Sequence, residues 1–138
     1  MRSIINLTNN LTNNLTNKSN KSNFHNEFTF EKRKTEASRI LIKYPDRIPV
    51  IVQLLENSNF HDIKKNKYLV PSYITIGQFL YIIRKQIILE PEQAIFIFVN
   101  NTILPTSSLL SQVYKEHKEM DGFLYFFYDS ENCFGRNI

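Results

Sequence analysis

The chain has 138 residues, 42% hydrophobic and 13% aromatic, and a net charge of +4, the size and composition of one domain with a real core. No apolar run approaches the roughly 20 residues that a membrane span needs, and the polar start lacks the apolar stretch of a secretory signal. A single cysteine, Cys133, excludes a disulfide framework and fits a reducing compartment, so cytosol is the expected location.

Residues 6–23 read NLTNNLTNNLTNKSNKSN, a polar repeat with too little apolar surface to offset its ordering entropy. Residues 1–23 are therefore expected to be a disordered, Asn-rich extension. Residues 24–128 form the expected domain. Phe28, Ala37, Ile40 and Leu41 are spaced for helix, and Tyr44-Pro45 ends that stretch because proline pushes its predecessor out of the helical region. Ile48 to Val52 reads as a β-branched strand, and residues 56–65 as a polar loop. Tyr68 to Val70 reads as a second strand, stopped by Pro71. Thr75 and Gln78 make a capping box ahead of Ile76, Phe79, Leu80, Ile83 and Ile87, a buried helical stripe closed before Pro91. Ala94 to Val99 is a continuous apolar strand, and Asn100-Asn101 is a tight turn into Thr102-Ile103. Residues 107–118 carry Leu109, Leu110 and Val113 in helical register. Phe123 to Tyr128 is the last strand, and residues 129–138 are expected to be a flexible tail. Strand pairs around one central helix predict an α+β roll with a mixed sheet, the order a β-grasp fold requires.

The charge is unevenly spread. Residues 1–23 hold Arg2, Lys18 and Lys21 and no acid, leaving 14 basic and 13 acidic residues from residue 24 onward. Residues 32–67 hold nine Lys/Arg against four acids, whereas residues 90–138 hold three against seven. A basic face of this kind favours acidic peptides or anionic surfaces. No aromatic-interleaved basic motif supports nucleic acid as a partner.

Several stretches go further than pattern. Phe30-Glu31-Lys32-Arg33, Lys43-Tyr44-Pro45-Asp46-Arg47-Ile48-Pro49-Val50-Ile51-Val52 and Lys67-Tyr68-Leu69-Val70-Pro71 occur in order. Gly77-Gln78-Phe79, Ile83-Arg84-Lys85, Phe98-Val99-Asn100-Asn101, Asp121-Gly122-Phe123-Leu124-Tyr125 and Phe134-Gly135 follow. Together they closely resemble the ubiquitin-like autophagy modifiers, particularly the GABA-receptor-associated group, over about residues 24–135. The resemblance implies a ubiquitin-like β-grasp domain with two additional N-terminal helices, itself no enzyme. It also implies trimming by a cysteine protease between Gly135 and Arg136. Activating, carrier and ligase-like enzymes would then couple Gly135 to phosphatidylethanolamine, moving the protein from the cytoplasm to a lipid-anchored place on the autophagosome membrane. The chemistry of glycine suits that path: with no Cβ it enters a narrow channel in any conformation and hinders attack on its acyl group least.

The resemblance further implies that cargo receptors with aromatic-x-x-aliphatic motifs add a strand beside Tyr68–Val70, with two pockets reading alternate side chains. The aromatic pocket would be Glu36, Ile40, Pro49, Ile51, Lys67, Leu69 and Phe123. The aliphatic pocket would be Tyr68, Val70, Pro71, Ile74, Phe79, Ile82 and Ile83. Arg47, Lys65 and Arg84 would supply charge contacts, and Lys67 is expected to be an exposed charge beside the docked strand. The sequence departs from the family pattern at Gln86, where a basic residue is usual, and at Tyr73, where relatives vary between an acid and His. It departs also at Gly122, where a bulky residue is usual and the adjoining edge is expected to loosen.

Enzyme chemistry has little support. No glycine-rich phosphate loop exists, no cofactor is implied, His25, His61 and His117 lack metal-ligand spacing, and Cys133 has no neighbouring His to activate it. The alternative to a conjugated modifier is a non-conjugated β-grasp adaptor that binds trafficking or cytoskeletal proteins through the same grooves.

Overall fold

The computed structural model describes residues 5–6, 23–55, 66–86 and 94–130. In chain order the elements are β1 (Ile5–Asn6), α1 (Phe24–Glu27), α2 (Phe30–Lys43), β2 (Arg47–Leu54) and β3 (Lys67–Pro71). They continue with α3 (Ile76–Gln86), β4 (Ile95–Val99), β5 (Thr102–Ile103), α4 (Leu110–His117) and β6 (Leu124–Ser130). The strands form one mixed sheet in the order β1-β3-β2-β6-β4-β5, with β2 and β6 parallel at its centre and the other pairs antiparallel. This is the expected α+β, ubiquitin-like β-grasp with two N-terminal helices.

Both faces of the sheet are covered, which is why its central strands read as nearly unbroken apolar runs. Alternate residues of β2 (Ile48, Val50, Val52, Leu54), β3 (Tyr68, Val70) and β6 (Leu124, Phe126, Tyr128) join Phe79 and Ile83 of α3 and Val113 of α4 in one core cluster. The intervening Ile51, Leu69, Phe123 and Tyr125 join Phe24, Ala37 and Ile40 of α1 and α2 in a second. Each of these three strands thus supplies two cores through its period of two.

Local chemistry sets the ends of the elements. The first helical stretch is two helices, because Thr29 turns extended and its side chain caps α2 by accepting from the Lys32 N–H. The Thr75–Gln78 box is reciprocal: the Thr75 N–H donates to Gln78 Oε1 at 2.8 Å and the Gln78 N–H to Thr75 Oγ1 at 3.2 Å. Asn100 and Asn101 take φ values of 50° and 62°, the left-handed pair that a two-residue hairpin turn requires.

Two expectations are corrected. Asp129 and Ser130 are not tail: they extend β6 opposite Phe96 and Ile95. Ile5 and Asn6, inside the extension expected to be disordered, form a strand on β3, and Asn23 caps α1 through the His25 N–H. The expected loop at 56–65, the end of the stripe at Ile87 and Pro91, and residues 131–138 lie outside the described residues.

Gly122 does not loosen its edge. Its φ is +94°, and a Cβ there would stand 2.9 Å from the Ala37 Cβ of α2. The missing side chain lets α2 approach the loop leading into β6. Gly122→Ala combines left-handed strain with overpacking and is expected to cost about 1–3 kcal/mol. An unchanged urea midpoint would contradict that account.

Candidate functional site

Two features carry the chemistry of this domain: the edge of β3 and the junction that holds α1 and α2 against the sheet.

The backbone alternation of β3 follows from its pairing with β2. The Val52 N–H donates to the Asn66 carbonyl at 2.8 Å, and Tyr68 and Val70 stand opposite Val50 and Ile48 in the same register. In an antiparallel ladder every second residue turns its N–H and C=O to the same neighbour. Asn66, Tyr68 and Val70 therefore face β2, while Lys67, Leu69 and Pro71 turn their backbone groups outward. Pro71 has no N–H to offer, so Lys67 and Leu69 carry the outward donors. The prolines fit this logic. Pro49 lies opposite Leu69, where the ladder needs no N–H, and pairing of β2 with β6 begins only at Val50.

The expected pocket residues distribute over the two cores flanking that edge. Ile40, Ile51, Leu69 and Phe123 of the aromatic set all lie in the cluster beneath α2. Tyr68, Val70, Ile74, Phe79 and Ile83 of the aliphatic set all lie in the cluster beneath α3. Pro49, Pro71 and Ile82 are buried as well, and Glu36 is half-buried and ion-paired to Arg39. Arg47 begins β2 and Arg84 lies in the last turn of α3, both half-buried. Gln86 and Tyr73 are exposed. Lys65, Gly135 and Arg136 lie outside the described residues, as do His61 and Cys133.

Lys67 corrects its expectation. It is 1% exposed instead of solvated, and its Nζ has no hydrogen-bond partner among the described residues. Burial pulls its pKa down to about 8 against the opposing attraction of Glu36. The Tyr68 hydroxyl is also buried without a partner among the described residues, and burial pushes its pKa up. The edge thus holds an unpaired ammonium and an unpaired phenol.

The second feature was not anticipated. Arg33 of α2 donates from Nε to Asp121 Oδ2 at 2.8 Å and from Nη1 to the carbonyls of Phe28 (2.6 Å) and His25 (3.2 Å). Asp121 also accepts from the Tyr125 hydroxyl and, through Oδ1, from the Phe123 N–H at 2.9 Å. Burial first, and then the Asp121 carboxylate, raise the Tyr125 pKa, which keeps that phenol a protonated donor. His25 stacks on Tyr125 with ring centroids 4.2 Å apart and meets Glu119 at 2.8 Å. Ligand-capable atoms of His25, Glu119 and Asp121 lie within 4.8 Å of one another. Arg33, Tyr125 and the Phe123 N–H already occupy both Asp121 oxygens, so the trio reads as an ion-pair junction. A groove of about 960 Å³ runs beside it, lined by Phe30, Lys34, Tyr114 and Met120 among others. It includes no expected pocket residue, because addition of a strand uses an edge and not a cavity.

A β-grasp sheet packed between two apolar layers, with two helices ahead of its first long strand, defines a ubiquitin-like domain. Comparison with known proteins narrows the class. Residues 32–135 match the family model described as "Autophagy protein Atg8 ubiquitin like". Autophagy-related protein 8 of Vanderwaltozyma polyspora is 59% identical over 115 residues, 83% of this chain and 98% of the relative. Its namesake in Saccharomyces cerevisiae is 56% identical over 116 residues, 84% and 99% of the two chains. The crystal structure of Trypanosoma brucei ATG8 superposes with a TM-score of 0.76 at 38% identity, covering 81% of this chain and 97% of that one. The chain belongs to the Atg8 family: it is a ubiquitin-like autophagy modifier of the kind conjugated to phosphatidylethanolamine, and not an enzyme. Membership implies conjugation machinery and cargo receptors as partners. Among the described residues no helix is long and apolar enough to cross a membrane.

Proposed function

We propose that Gly135 is the residue through which this modifier is joined to phosphatidylethanolamine, after a cysteine protease cuts the Gly135–Arg136 bond. The observation that carries the reading is the reach of the family match, which runs to residue 135 and so ends on the glycine. Activating, carrier and ligase-like enzymes would hand the Gly135 acyl group to the lipid amine, anchoring the protein on the autophagosomal membrane. There it supports autophagosome formation and recruits cargo receptors with aromatic-x-x-aliphatic motifs at the β3 edge. The outward-facing backbone of Lys67 and Leu69 supports that docking mode, since an added strand pairs with donors and acceptors in alternation. The two core clusters meeting on β3 support side-chain reading on both faces. The excess of nine Lys/Arg over four acids in residues 32–67 supports a preference for acidic flanks, since a basic face attracts them.

C-terminal peptide mapping of the cellular protein tests the processing step. The expected terminus is Gly135, in fed and starved cells alike. Chains that all retain Arg136 would contradict it.

A further inference from the structure

The β3 edge is not empty. β1 lies on it antiparallel, with Ile5 opposite Leu69 and Asn6 opposite Tyr68. β1 is the outermost strand on that side of the sheet, so the edge on which the docking reading rests already has an occupant from the same chain.

The register says how fully the edge is taken. Leu69 turns its N–H and C=O outward, and Ile5 is its partner. In such a pair the two residues exchange both hydrogen bonds. An incoming strand needs those same two groups, and Pro71 leaves it no third outward donor. Two strands cannot share one backbone row about 4.8 Å away. The composition of the segment fits the position. Ile4-Ile5 and Leu7 form an aliphatic island in a stretch otherwise rich in Asn, Thr and Ser. Residues 7–22 link it to α1. A short linker holds a tethered segment at an effective concentration on the order of millimolar, enough for weak pairing to compete with a free peptide.

We propose that the segment around Ile5–Asn6 is the resident strand of the β3 edge, an intramolecular stand-in that a motif-bearing partner must displace to bind. The competition rests on the docking reading given above, whereas the occupancy does not. The extension thereby sets a threshold: a partner with a full motif and acidic flanks wins the edge, and adventitious extended segments do not. It also covers an edge strand that would otherwise invite pairing with other chains.

Proline scanning in the full chain separates the two claims. Ile5→Pro deletes the N–H aimed at Leu69 and should release β1. Asn6→Pro deletes an N–H that points away from β3, a place where an edge strand tolerates proline, and should behave as the parent does. Neither substitution touches the β2–β3, β2–β6 and β4–β6 pairings that build the body of the sheet, so both variants are expected to fold. The first readout is amide exchange at Leu69 in the free proteins, expected to be fast in Ile5→Pro and slow in the parent and Asn6→Pro. The second is the affinity of a short synthetic aromatic-x-x-aliphatic peptide with acidic flanks. Ile5→Pro should bind it about threefold or more tightly, the gain expected if the edge is free in about a third of parent molecules or fewer. Equal Leu69 exchange in all three proteins would overturn the proposal, as would equal peptide affinity at measurable binding. Loss of Leu69 protection in Ile5→Pro with no peptide binding to any form would uphold the resident strand and sink the docking reading instead.

Discussion

Asp121→Ala should cost about 3–5 kcal/mol of folding stability, the loss typical when one partner of a buried charge pair is removed. The Asp121 side chain is 1% exposed and that of Arg33 11%, so water cannot replace the missing carboxylate. Arg33 would keep its bonds to the Phe28 and His25 carbonyls but lose its only acid among the described residues. The Tyr125 hydroxyl and the Phe123 N–H would lose their acceptor in the same step. Against a typical domain stability of about 5–15 kcal/mol, that loss takes a large share. The damage should concentrate where α1 and α2 meet the sheet, because Arg33 is the cation that ties both helices to the approach of β6. Chemical denaturation measures the cost, and Asp121→Asn, which retains an acceptor oxygen, should lose less. A loss under about 1 kcal/mol for Asp121→Ala would show that the junction is solvated and that core packing alone holds the helices.

Much of the fold was legible because its strands and its central helix follow simple periods. The stripe Ile76, Phe79, Ile83 and its capping box became α3, and Asn100-Asn101 became the hairpin turn. Strand alternation explains why Ile51 and Leu69 lie in one core cluster and Tyr68 and Val70 in the other. Three things were not legible, each for a physical reason. The resemblance implied two N-terminal helices, but the position of the break between α1 and α2 depends on Thr29 choosing a cap over a helical turn, which the apolar spacing of Phe28, Ala37 and Ile40 cannot signal. The Arg33–Asp121 pair joins residues 88 apart in sequence, and only folding brings them together. The burial of Lys67 went unforeseen because a lysine in a basic stretch reads as solvated, while its place on a strand beneath Glu36 and α2 is a tertiary fact. One signal was available for the strand at Ile5: the β-branched pair Ile4-Ile5 just ahead of a polar repeat is where such a segment would find a sheet edge.

Gly135→Ala should leave folding and peptide binding intact and slow lipid attachment on the order of 100-fold. The argument is steric. The protease and the activating enzyme must thread an extended chain whose last residue has no side chain, and a displacement of about 1 Å at a reacting centre commonly costs that much. Glycine also reaches backbone conformations closed to alanine. On the proposed path the added methyl group matters to the conjugating enzymes alone, so thermal midpoint and peptide affinity serve as controls. A variant that lost stability as well would show instead that residue 135 packs against the domain.

Removal of Gly135 together with everything after it tests the central claim most directly, since it takes away the acyl donor itself. Membrane fractions from starved cells would be resolved on a denaturing gel with and without phospholipase treatment. The parent chain should yield a faster-migrating form that phospholipase converts back, and the truncated chain should yield none and stay diffuse in the cytosol. A phospholipase-sensitive form of the truncated chain would contradict conjugation through Gly135.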